Sequence, residues 1–259
     1  MVDGTWRFSS GIDFASAVNI QLFLRPDDGP AEHRFALVHQ SDYEVVDDWF
    51  VTGLAATGSR ALKMNEVFIP DYRTISSLQV GGGPTPGSAV SASALYQMPF
   101  WGVASRLFTS PLIGIARGAL ELIEDDIADR VATTGLRLAE QPIVHLRLAE
   151  AGGEISAAWA LAIQDCVTAR RMTEAGSFPS LVERAGWRRN AAYAGLMCVR
   201  AVDRLYDLAG MRAMESSSHI QRAWRDVHAG ASQTGIVWDM QAAVYGRARF
   251  DLPLGDPRA

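Results

Sequence analysis

Over the first eighty residues, apolar positions come in short runs; beyond that the period changes. Val18 to Leu24 and Arg34 to His39 are short runs bounded by turn residues, and the first ends in RPDDGP, a loop signal. Tyr43 to Phe50 contains Val45 and Val46 followed by an aromatic pair. Arg60 to Ile69 alternates in part through Leu62 and Met64 and is closed by Pro70. Short strands separated by turns predict a small antiparallel sheet or barrel rather than βαβ units.

From residue 96 onward the spacing is helical. Ser110-Pro111 followed by Leu112, Ile115, Ala119, Ile123 and Ile127 predicts a helix with proline in its first turn. A second helix is predicted over Ile143 to Glu174, with Leu148, Gly152, Ile155, Trp159, Ala162, Cys166 and Ala169 on one continuous face. A third runs from Leu181 to Ala209 and is stopped by Gly210; a fourth runs from Ile220 to Arg249. Four long helices predict an antiparallel bundle, and Ala- and Gly-rich faces permit close approach. The fold class is therefore α+β: a β domain over 1–80, a linker over 81–95 and a four-helix bundle over 96–259. GGGPTPGSAVSAS, at the linker, lacks the lysine and spacing of a phosphate loop and reads as a connection.

Composition narrows the function. The chain has 259 residues, 48% hydrophobic and 20% charged, which excludes a disordered chain. Net charge is −5, and the acidic excess lies in residues 1–95. Neither half is basic enough for nucleic acid. No apolar run suggests a membrane span, and the N-terminus lacks a signal-peptide pattern, so a cytoplasmic location is expected. Cys166 and Cys198 read as free, buried thiols in a reducing compartment. No two of the five histidines have the i, i+4 spacing of a helical metal site, and CxxC, HExxH and GxSxG are missing, so no metal is expected.

Three segments carry candidate chemistry. They are TWRFSSG (Thr5 to Gly11), GLAATGSRALKMNEVFIP (Gly53 to Pro70) and SSSHIQRAWRDVHAGASQT (Ser216 to Thr234). In that order, and with strands preceding helices, they resemble the acyl-CoA dehydrogenase superfamily. They are most similar to its flavin-dependent monooxygenase branch, the oxygenase components of two-component phenol and secosteroid hydroxylases. The resemblance runs from Gly4 to about Arg249. It implies reduced FMN or FAD from a separate flavin reductase, O2 as co-substrate, and an aromatic or polycyclic small-molecule substrate. It also implies a homotetramer.

By that resemblance Trp6 and Phe8 would wall the flavin, and Ser9 and Ser10 would offer hydroxyls and N–H groups. Apolar walls exclude water and a nearby donor stabilises charge developing on oxygen. Thr57, Gly58 and Ser59 match the family's loop, while Ala55 stands where relatives commonly have arginine and Phe14 where they often have histidine. His228 in the RDVH element would be the catalytic group, since imidazole titrates near neutrality. Arg225 is a candidate cofactor contact. Arg222 and Arg225 also suit ion pairs with Asp226 or Asp203, and His219 is expected in the preceding loop. No glutamate follows the RD pair as in many dehydrogenases, leaving Glu150, Glu154 and Glu174 as candidates for that alternative. The family pattern has a further N-terminal helical domain before the point where this sequence begins. That suggests a fragment or a partner chain that supplies it. A non-catalytic flavin-binding or structural subunit is thus a third reading.

Overall fold

The computed structural model describes residues 1–25, 29–81, 85–91 and 93–255. The predicted turn at 26–28, linker residues 82–84 and 92, and the last four residues lie outside that set. Two compact units divide the chain between Gln97 and Met98.

The first unit holds two three-stranded antiparallel sheets. One has the order β1 (Val2–Trp6), β5 (Ala61–Val67), β4 (Glu44–Val46). The other has β2 (Ala17–Leu24), β3 (Glu32–His39), β6 (Thr74–Ser76). β2 and β3 pair in unbroken register from Ala17 opposite His39 to Leu24 opposite Glu32. β1 and β5 slip by one residue between Val2 and Gly4. That bulge places Glu66 at a φ of 49°, with its N–H donating to Asp3 Oδ1 at 2.6 Å. Ile12, Ile20, Ala36, Val38, Leu62 and Met64 form the core. Tyr43 to Phe50 is a strand only over 44–46; Asp48 instead accepts the Ala61 N–H at 2.8 Å and ends the pairing.

Two short helices follow, α1 (Pro86–Ala89) and α2 (Phe100–Val103), and then the second unit's main helices. These are α3 (Arg106–Ala128), α4 (Pro142–Glu174), α5 (Leu181–Ala209), α6 (His219–Ala231) and α7 (Trp238–Arg249). α5 begins at a capping box in which Ser180 and Glu183 satisfy each other's backbone N–H groups. It ends as predicted at Gly210, whose φ of 62° favours glycine.

Three details differ from the sequence expectation. α3 starts at Arg106, so Pro111 lies inside it rather than in its first turn. Proline is tolerated because Pro111 and Leu107 are both exposed, so water can take the carbonyl left without a donor. The buried face of α4 is Val144, Ala151, Ile155, Ala158, Ala162, Asp165 and Ala169: Ile155, Ala162 and Ala169 lie where the stripe predicts, while Ala158 and Asp165 take the places of Trp159 and Cys166. Trp159 and Cys166 therefore point outward, and only Cys198 is a buried thiol. The predicted fourth helix is two helices. Between them Ile236 turns into the core, the Gly235 carbonyl accepts from Ser105, and the Thr234 carbonyl accepts from Gln241.

Asp165 explains this exchange on α4. Its carboxylate, 7% exposed, pairs with Arg106 of α3 and accepts Asn190 Nδ2 of α5 at 3.0 Å on each oxygen. Arg106 also donates to the Trp187 carbonyl at 2.6 Å. Burial pushes the Asp165 carboxyl up and the Arg106 guanidinium down, and their mutual attraction opposes both shifts. Removing one partner strands the other charge. Asp165→Ala is expected to destabilise the protein by about 3–5 kcal/mol in urea denaturation. Burial, aided by the negative Glu154, pushes the Cys198 thiol up to about 12. A Cys166→Ala chain should therefore stay inert to a thiol reagent at pH 8 and react once denatured.

Candidate active site

In the first unit the folding of β1 against β5 brings two of the three segments together. Each runs into a turn at the same end of the sheet. The Ser9 N–H donates to the Arg60 carbonyl at 3.2 Å, and the Gly11 N–H to the Thr57 carbonyl at 2.9 Å. Three hydroxyls line up between the turns. Ser59 Oγ, 5% exposed, lies 2.7 Å from Ser10 Oγ and 2.7 Å from Thr57 Oγ1. Thr57 Oγ1 donates to the Leu54 carbonyl at 2.8 Å, so the chain has a fixed end.

The aromatic members divide. Trp6 packs on the core, its indole N–H donating to the Gln21 carbonyl at 2.7 Å. Phe8 sits at a φ of 64° and is 75% exposed, edge-on to Trp49 at 6.1 Å. Phe14 is 96% exposed at the end of a short 3-10 turn. Ala55 opens a second such turn; the cations of this region include Arg60, held by Asp13 at 3.6 Å and Asp47 at 3.5 Å, and Arg7, which pairs with Asp48 at 3.7 Å. Gly58 has a φ of 51°, and a Cβ there would lie 2.9 Å from Asp13 Oδ2.

The third segment lies in the second unit, on α6. Ser218 caps that helix, and His219 is its exposed first residue rather than part of the loop. His228 Nε2 donates to Asp203 Oδ1 of α5 at 2.9 Å. Trp224 Nε1 donates to the same oxygen at 2.7 Å. The Trp224 and His228 rings lie 4.6 Å apart, and Tyr206 packs on the same indole at 5.5 Å. Asp203 thus meets the histidine and the indole, not Arg222 or Arg225. Arg225 Nε donates to Gln221 Oε1 at 3.2 Å. The sequence points to Asp203 only as an ion-pair partner for the arginines of this segment, and it does not single out Trp224 or Tyr206. The i, i+4 spacing of Trp224 and His228 is the available signal for the indole; nothing in the sequence directs Asp203 to the histidine.

The glutamates considered for a dehydrogenase base are engaged elsewhere. Arg204 pairs with Glu150 at 3.0 Å and Glu154 at 2.6 Å, and Arg170 with Glu174 at 2.7 Å. An open cleft of about 480 Å³ in the first unit is lined by Tyr43, Glu44, Lys63 and Asn65 among others; it takes in the strand part of the second segment but none of Ser9, Ser10, Thr57, Gly58 or Ser59. Among the described residues no cluster of metal-ligating side chains occurs, and no helix is long and apolar enough to cross a membrane.

A bundle of long helices after paired small sheets, with these motifs at strand ends and on α6, defines a class. The chain belongs to the acyl-CoA dehydrogenase family, whose C-terminal domain model matches residues 107–238. Within it the chain is similar to the flavin-dependent monooxygenase, oxygenase subunit HsaA, of Mycobacterium tuberculosis, at 31% identity over 258 residues. It is also 31% identical over 263 residues to the oxygenase component of an FADH(2)-dependent resorcinol hydroxylase from Rhizobium, covering 97% of this chain and 64% of that one. The crystal structure of the M. tuberculosis HsaA monooxygenase superposes with a TM-score of 0.91 at 30% identity. That of a 3-HSA hydroxylase from Rhodococcus sp. RHA1 gives 0.93 at 28%. Both superpositions cover 99% of this chain and 66% of the relative, so the chain spans just under two thirds of their length.

The turn geometry makes one substitution informative. Gly58→Ala forces a side chain into left-handed backbone and against Asp13, and is expected to lower stability by about 1–2 kcal/mol in urea denaturation.

Proposed function

We propose that the chain acts as the oxygenase component of a two-component flavin-dependent monooxygenase. It would hydroxylate an aromatic or polycyclic small molecule with reduced FMN or FAD supplied by a separate reductase, and O2. The observation that carries this reading is His228 held by the Asp203 carboxylate; within the first unit, the hydroxyl chain of Ser10, Ser59 and Thr57 supports it separately. Oxygenase components among its relatives support it. A dehydrogenase reading is weakened because Glu150, Glu154 and Glu174 are held in ion pairs.

The residues fit a flavin in kind. An isoalloxazine ring is recognised by apolar faces and neutral hydrogen-bonding groups, and the Phe8 ring and three aligned hydroxyls are of that sort. When bound, reduced flavin supplies the electrons with which O2 is activated. In this reading Phe8 excludes water, with Trp6 fixing the strand from which it projects. Ser9 and Ser10, with Thr57, Gly58 and Ser59, offer hydroxyl and backbone donors, and Arg225 is a further contact. His228 takes the proton of a phenolic substrate, which makes the ring carbon a better nucleophile, and returns it later. Phe14, where the family resemblance implies histidine, fits a more apolar substrate.

The same reading carries a cytoplasmic enzyme and a homotetramer. The outward Leu146, Trp159 and Ile163 of α4 support a subunit contact there.

The test mixes the anaerobic protein and reduced FMN, or reduced FAD, with oxygenated buffer containing resorcinol or p-hydroxyphenylacetate. Flavin reoxidation coupled to a hydroxylated product is expected. His228→Ala should lower product formation by about 10²–10⁴-fold. Reoxidation at the free-flavin rate with only hydrogen peroxide formed would refute the reading.

A further inference from the structure

We infer that Asp203 is a positioning residue for His228 and that Trp224 fixes the oxygen through which it acts. The inference rests on the proton-transfer role proposed for His228. Asp203 Oδ1 receives two hydrogens, from imidazole Nε2 at 2.9 Å and from the Trp224 indole at 2.7 Å. An indole nitrogen donates and never accepts. The shared oxygen is therefore committed as an acceptor, and the imidazole nitrogen that meets it must carry a hydrogen. His228 is held in the Nε2–H form, and Nδ1 is the nitrogen left to accept a substrate proton. The carboxylate also lies opposite the positive charge that forms when Nδ1 takes that proton.

The ring's plane is set as well as its tautomer. Trp224 lies one helical turn before His228, with the ring planes at 49°. Tyr206, three residues after Asp203 on α5, packs on the same indole at 5.5 Å. Two residues from each helix thus form one cluster, and none of the four contacts requires a ligand. The side chains of His228 and Asp203 are 39% and 44% exposed. A hydrogen bond so open to water contributes little to folding. Its effect is to orient a group that remains reachable from outside, and this separates a positioning role from a structural one.

The test uses the full chain in two arms. In proton NMR, a downfield, exchange-protected imidazole N–H is expected, assigned by its loss in His228→Asn. It should persist in Asp203→Asn, whose Oδ1 the Trp224 indole still selects as acceptor, and vanish in Asp203→Ala. In turnover with reduced flavin, O2 and resorcinol, Asp203→Ala should lower kcat by about 10- to 100-fold with KM little changed, as for a misplaced reacting group. Asp203→Asn should recover most of that loss, and the thermal midpoint should not move in either variant. A His228 N–H signal that survives Asp203→Ala overturns the inference. So does wild-type turnover in Asp203→Ala when His228→Ala has lost it. If the unaltered chain hydroxylates nothing, the oxygenase reading fails, and the NMR arm alone then decides. Loss of the signal upholds the hold of Asp203 on the ring, and survival overturns it.

Discussion

The helices of the second unit converge on α5, and they can do so because that helix carries alanine and glycine where its neighbours approach. Ala185, Gly186, Ala191, Ala192, Ala194, Gly195 and Ala201 are all buried on it. Small side chains let backbones come close, where dispersion contacts are dense and individual positions are tightly defined. Polar side chains on α5 are consequently delivered to neighbouring helices at hydrogen-bond distance. Asn190 reaches Asp165 on α4, and Asp203 reaches Trp224 and His228 on α6. The first contact anchors the bundle, and the second builds the candidate site.

These two polar clusters illustrate opposite balances of burial and charge. Asp165 and Arg106 are both almost fully buried, so the desolvation of each must be matched by its partners. Asp203 and His228 are half exposed and carry no comparable penalty. The sequence places an aspartate on a helix face in both cases. The difference in consequence comes entirely from the depth at which the neighbouring helix meets it.

Much of the architecture was legible in the residues. The change of period near residue 96 separates strands from helices, and the Leu181 to Ala209 helix with its Gly210 stop has the bounds of α5. What escaped was set by long-range contacts. On α4, Ile155, Ala162 and Ala169 face inward as the stripe predicts, but Trp159 and Cys166 do not, because Asp165 is drawn inward by Arg106 and Asn190. The split between α6 and α7 follows from Ile236 finding the core and from carbonyls taken by Ser105 and Gln241. In the candidate site the sequence marks both turn segments, and the pairing of β1 with β5, a long-range contact, is what makes them neighbours. The meeting of Asp203 with His228 likewise depends on the packing of α5 against α6 across 25 residues.

Phe8 bears on how this chain would fare under selection. Its backbone is held in a left-handed conformation that suits glycine, and its ring is left largely in water. Both features cost folding free energy, on the order of 1–3 kcal/mol for the backbone alone. A library screened only for thermal resistance would drift at this position toward glycine or a polar residue. A lineage that keeps the aromatic ring there accepts a less durable protein, as expected where an exposed residue is retained for what it meets rather than for what it supports.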